Sequence, residues 1–184
     1  MFSRSLSAFL VLVGLLASAS SYAGLRAISV NAGIPQAIGK NWQSLSGQYS
    51  LKTEGWVDGA GMAPGLDFHL QLDYQAFQVR NNSKGNFGVI TGLAGLMLRG
   101  GPEKAPAFGF FGLDVGTSYE LLWWSGATAG VYTGTFGFTV QLTPGVEVPI
   151  SNNSGLVFET PIRWIIQRST LAVWEASLGF KFGI

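Results

Sequence analysis

Every second residue from Trp174 to Ile184 is apolar: Trp174, Ala176, Leu178, Phe180, Phe182, Ile184. Between them stand Glu175, Ser177, Gly179, Lys181 and Gly183, all small or charged. Successive side chains of a strand point to opposite faces, so this stretch is a strand with one oily and one polar face. Aromatic residues at both ends of the oily face suit a wall that meets lipid at two interfaces. Trp174 and Phe182 would lie about 26 Å apart at roughly 3.3 Å per residue. Tilted by about 40°, that length covers about 20 Å of height, close to the roughly 25 Å apolar band between the aromatic girdles of a membrane barrel.

The same alternation recurs upstream. From Leu66 to Ala76, Leu66, Phe68, Leu70, Leu72 and Tyr74 alternate with Asp67, His69, Gln71, Asp73 and Gln75. From Phe111 to Trp123, Leu113, Val115, Tyr119 and Leu121 lie opposite Asp114, Ser118 and Glu120. From Phe136 to Ile150, Phe138, Val140, Leu142, Val146 and Val148 lie opposite Thr139, Gln141, Thr143 and Glu147. From Leu156 to Ile166, Phe158, Ile162 and Trp164 lie opposite Glu159 and Arg163. Three weaker segments, Leu25 to Gly33, Ser46 to Val57 and the glycine-rich Phe87 to Leu98, bring the expected number to eight. The pattern does not separate the two faces of Phe87 to Leu98. An even number of tilted strands, each long enough to cross a bilayer, is what a closed antiparallel barrel requires.

Composition supports a wall in contact with lipid. Charged residues are only 11%, against about 25% in a typical soluble domain. Aromatic residues are 13% and glycines number 26. Residues 1–23 read as a secretory signal peptide: Arg4, an apolar run from Ala8 to Ala17, and small residues at Ser21 and Ala23. That run is too short for a membrane-spanning helix. Residues 24–184 are then one barrel domain. Without Arg4 the basic and acidic residues balance, which gives no reason to expect a nucleic-acid partner. The chain has no cysteine, so no disulfide holds it.

Together these features resemble the small eight-stranded outer-membrane barrels, the class of the OmpA transmembrane domain and OmpX. The resemblance rests on residues 1–23, on the alternation from Leu66 onward, and on Leu178, Phe180, Phe182 and Ile184. Those last four are similar to the C-terminal strand signal that the outer-membrane assembly machinery reads, although the class usually ends in Phe where Ile184 stands. The resemblance implies an all-β, up-and-down transmembrane barrel in the cell outer membrane. It implies contact with outer-membrane lipid and lipopolysaccharide, handling by the assembly machinery, a monomeric state and porin-like architecture.

An eight-stranded barrel is just wide enough for its own side chains to fill it. The residues expected inside are Lys52, Glu54, Asp67, His69, Asp73, Asp114, Glu120, Glu147, Glu159, Arg163, Glu175 and Lys181. Carboxylates outnumber the fixed cations, and buried charges must be paired or neutralised. A three-residue turn at Arg168 to Thr170 would set Gln167 opposite Leu171. That register predicts an Arg163–Glu175 ion pair. Pro144 and Pro161 lack the donor that a ladder needs, which predicts a bulge or gap where they come level.

No catalytic set emerges. His69 is the only histidine; Asp67 and Asp73 flank it, and Gln71 stands where a lipid-A deacylase of this architecture has its serine. With one histidine and no cysteine, no metal or other cofactor is expected. The expected function is a non-enzymatic barrel with a filled lumen, serving envelope structure or surface contact. The alternatives are a small pore or carrier for a cationic or hydrophobic solute, and a lipid-modifying enzyme. A secreted lipocalin-like barrel would need both strand faces inverted.

Overall fold

The computed structural model describes residues 24–39, 42–58, 63, 65–80, 85–101, 105–124, 130–167 and 170–183. The expected signal peptide, most of the Arg168 to Thr170 turn, and Ile184 lie outside them. Nine β segments follow in chain order: β1 (Leu25–Ile38), β2 (Leu45–Asp58), β3 (Leu66–Val79), β4 (Gly85–Gly100), β5 (Phe108–Trp124), β6 (Gly130–Ser151), β7 (Ser154–Glu159), β8 (Ile162–Ile166) and β9 (Leu171–Gly183). Each pairs antiparallel with its neighbour, and β1 pairs with β9, so the sheet closes on itself. Closure removes every free edge, as a bilayer demands of a β structure.

Segments β7 and β8 are two halves of one stave, so the barrel is eight-stranded. Both halves pair with β6 on one side and β9 on the other, in an unchanged register. The interruption falls at Thr160 and Pro161. There Thr160 N–H donates to Pro144 O at 3.0 Å, and Glu175 N–H donates to Pro161 O at 3.0 Å. An antiparallel pair returns each such bond, but here the returning donors would be the two proline nitrogens, which carry no hydrogen. The expected gap is therefore present, and its cause is two missing donors one residue apart.

A third proline explains why β1 outruns the expected strand. Pro35 lies within β1, beyond the last β1–β2 pair at Gly33 and Ser50. On its other side β1 stays paired with β9 as far as Ile38. The register of β2 slips between Gly47 and Tyr49 near that point, and a Cβ added to Gly47 would collide with the Pro35 carbonyl. Bulge, glycine and proline accommodate one another, so the strand need not stop at Gly33.

Alternation sorts side chains between the two faces as the sequence implies. Leu70, Leu113, Phe138, Phe158 and Leu178 are among many large apolar residues exposed on the outside. The polar residues between them are buried inside. The glycine-rich β4 is also settled: Phe87, Val89, Thr91, Leu93 and Met97 are buried, while Ile90, Leu96 and Leu98 are exposed.

Candidate functional site

The interior is layered. At the end carrying the β1–β2, β3–β4 and β8–β9 connections, Ala37, Leu45, Phe77, Phe87, Val89, Ile165, Leu171 and Val173 form an apolar cluster. Toward the other end, where β1 begins and β9 finishes, Ala27, Trp56, Met97, Phe110 and Val157 form a second. A polar network lies between them.

Arg163, from β8, is the hub of the upper part of that network. Its guanidinium makes a two-pronged ion pair with Asp73 of β3, which lies across the lumen; one prong, from Nη1, measures 3.0 Å. Nε and Nη2 also donate to Gln141 Oε1, at 2.8 and 2.6 Å, and Nη1 donates to Thr91 Oγ1 at 3.1 Å. The planar fork of arginine suits such two-pronged carboxylate contacts. Gln141 passes the network to Gln71, whose amide donates to Asp73 Oδ2 at 2.5 Å. Thr91, Ser118 and Thr139 form a hydroxyl chain beside it.

Lys52 and His69 organise the next layer. The Lys52 ammonium pairs with Glu159 and lies 3.0 Å from Glu54 Oε1. Glu54 Oε2 accepts from Ser29 at 2.6 Å and Asn31 at 2.8 Å. His69 Nδ1 lies 2.8 Å from Asp114 Oδ1, and Nε2 lies 3.6 Å from Glu54 Oε1, a charge contact too long for a hydrogen bond. The ring is thus held between a carboxylate on the adjacent β2 and one on β5, two strands away on the other side. Trp56 packs edge-on against it, with centroids 5.5 Å apart. Below, Lys181 lies 3.6 Å over the Trp56 ring and donates to Glu147 at 3.0 Å. Arg99 reaches the same carboxylate at 3.0 Å, and Arg26 lies 3.4 Å from Asp67.

No family model matches the chain, and no curated protein matches it by sequence. Solved structures do match it in shape. Neisserial surface protein A superposes with a TM-score of 0.66 at 13% identity, over 86% of this chain and 96% of that one. The fold is that of the small eight-stranded outer-membrane β-barrels. The N-terminal β-barrel domain of Pseudomonas aeruginosa OprF gives 0.52 at 10% identity, over 88% of this chain and 99% of that one. Ail, the attachment invasion locus protein of Yersinia pestis, gives 0.51 at 11% identity, over 87% and 99%. At such identities the likeness is one of architecture, and residue roles come from this barrel's own interior.

All twelve residues expected inside the barrel are buried there, but several partners differ from expectation. Arg163 does not pair with Glu175. The last hairpin sets Ile165, not Gln167, opposite Leu171, so Arg163 faces Val173 on the ladder. Glu175 instead accepts from Gln75 of β3 at 2.6 Å. The cause is a longer connection, five residues from Ile166 to Thr170 rather than three. His69 is held by Glu54 and Asp114 rather than by Asp67 and Asp73, its neighbours along β3. Glu120 is buried beside the upper apolar cluster, one ladder step from Val89. Of the expected C-terminal signal, Leu178, Phe180 and Phe182 point outward on β9, and Ile184 lies outside the described residues.

Arg99 and Trp56 are among the interior residues that the sequence reading did not name. Arg99 was hidden in the glycine-rich strand whose faces could not be separated. Trp56 shares the parity of Lys52 and Glu54, which placed it inside, but an aromatic residue near a strand end reads first as a lipid-interface anchor. Among the described residues, no group of three or more His, Cys, Asp and Glu is arranged to hold a metal.

Proposed function

We propose that this chain spans an outer membrane as a monomeric barrel whose lumen is closed by its own side chains, and that it serves the envelope structurally or at its surface, without catalysis. The lumen carries this reading. Apolar clusters cross it at both ends, around Phe77 and around Trp56, and a hydrogen-bonded network occupies the space between. A water column would have to break the Arg163–Asp73 pair and displace both clusters.

The enzyme alternative lacks support from His69. Its two nitrogens face carboxylates, and the hydroxyls next in that chain of contacts, Ser29 and Thr143, donate to Glu54 and Asp114 rather than to the ring. A nucleophile and its base must share a hydrogen bond, and the base must meet substrate. His69 is fully buried and does neither.

In this reading the outer wall contacts membrane lipid and lipopolysaccharide. The chain ends lie on the periplasmic side, and Leu178, Phe180, Phe182 and Ile184 present the strand that the assembly machinery recognises. The test is reconstitution into planar bilayers alongside a heat-modifiability gel on outer-membrane fractions. A heat-shifted band in that fraction and no steady current are expected. A steady cation-selective current would establish the pore alternative in its place, and recovery in the soluble fraction would exclude the membrane barrel.

A further inference from the structure

The outer wall carries a groove at the proline gap. It crosses β6, β7, β9 and β1 and has a volume of about 590 Å³, within the roughly 300–1,000 Å³ of a small-molecule site. Three inter-strand spacings of about 4.8 Å make it about 14 Å long. One lip is the outward row Val146, Phe158, Leu178 and Ala32, which the ladder sets level with one another. The other lip is Pro144, Thr160, Ala176 and Ile34, mostly small. Between the lips the floor is backbone, since the side chains of Glu159 and Ser177, which also border the groove, are buried on the luminal face.

The floor of this apolar groove holds a free acceptor. Thr160 N–H donates to Pro144 O, but Pro144 has no N–H to return to Thr160 O, and no bond to that oxygen is made among the described residues. Glu175 O, one residue from the groove at Ala176, loses its donor to Pro161 in the same way. Water would satisfy such a carbonyl on a soluble protein. On a wall that faces hydrocarbon there is none, and an unpaired backbone group there is costly. The groove therefore suits a guest that is mostly hydrocarbon and carries an N–H or O–H.

Depth narrows the choice. Ala176 and Leu178 lie two and four residues from Trp174 along β9, which places the lips about 5 and 10 Å below that outward aromatic at a tilt of about 40°. With the chain ends periplasmic, this is the outer-leaflet half of the wall. A glycerophospholipid chain is joined through an ester and offers no donor at that depth. An amide-linked 3-hydroxyacyl chain, the chemistry of the lipid anchor of lipopolysaccharide, offers an N–H and an O–H near its head.

We propose that this groove seats one amide-linked hydroxyacyl chain of lipopolysaccharide, which donates to Thr160 O in place of the Pro144 nitrogen. The proposal rests on the outer-membrane reading above and names the lipid and its seat. In the test, barrel refolded from urea into detergent is mixed with lipid A or with phosphatidylglycerol, and native mass spectrometry counts the lipid retained. Wild type should retain one lipid A per chain. Pro144→Ala returns an N–H to Thr160 O and should weaken lipid A by about tenfold, the worth of one hydrogen bond, with phosphatidylglycerol unchanged. Ala176→Leu fills the groove and should weaken both lipids; should it lack the heat-modified band of a folded barrel, Ala176→Val takes its place. Wild type that shows the heat-modified band but retains no lipid A would overturn the proposal and leave the barrel reading standing. Absence of that band in wild type would refute the barrel reading itself. Lipid A retained equally by wild type and both variants would overturn the site, and a dimer that Ala176→Leu dissolves would assign the groove to a second copy of the chain instead.

Discussion

Replacing Arg163 by methionine keeps most of the side-chain volume and removes the hub of the upper network. Five hydrogen bonds go, two of them to Asp73. Asp73 is then buried with only the Gln71 amide to support its charge. Removing one partner of a buried ion pair costs about 3–5 kcal/mol, mostly because the other charge is stranded. The further loss of Gln141 and Thr91 contacts places Arg163→Met toward the top of that range. Asp73→Asn in the same chain removes the stranded charge, so the double variant should recover a large part of the loss. A double-mutant cycle in urea, followed by the fluorescence and the heat-modified mobility of the barrel in detergent, measures the coupling. Several kcal/mol are expected between Arg163 and Asp73, and a clearly smaller coupling between Arg163 and Glu175, which share no hydrogen bond. The reverse order of the two couplings would refute the register and the partner assignment with it.

Other perturbations probe the remaining layers. Val115→Arg sets a charge on the outer face midway along β5 and should cost about 2–4 kcal/mol in urea titrations, while Phe182→Arg near a strand end should cost about 0–1 kcal/mol. Equal costs would show that the wall does not face lipid as assigned. Phe77→Ala should cost about 3–5 kcal/mol by emptying the upper cluster, measured by the same titration. Gly116→Val should be destabilising by about 1–3 kcal/mol, because its Cβ would strike the Gly92 carbonyl and lie 2.9 Å from Leu93 Cα. Gly92→Val, whose Cβ meets only Leu72 Cδ1 at 4.0 Å, should stay within about 0.5 kcal/mol of wild type.

The sequence by itself determined which face of nearly every strand meets lipid. A strand's side chains alternate because of its own backbone, so the burial of Asp67, His69, Asp73, Glu159 and Glu175 is written in their parity with the apolar residues beside them. It also located the weak point at Pro144 and Pro161, since a missing donor is a local property. Parity failed only in β4, where glycines occupy both faces and leave Arg99 unassigned. Partners across the lumen belong to the tertiary structure. Whether Arg163 meets Glu175 on the next strand or Asp73 across the barrel depends on the register of every hairpin and on the closure of β1 against β9. A connection longer by two residues moved Arg163 one inward step along β9, out of line with Glu175.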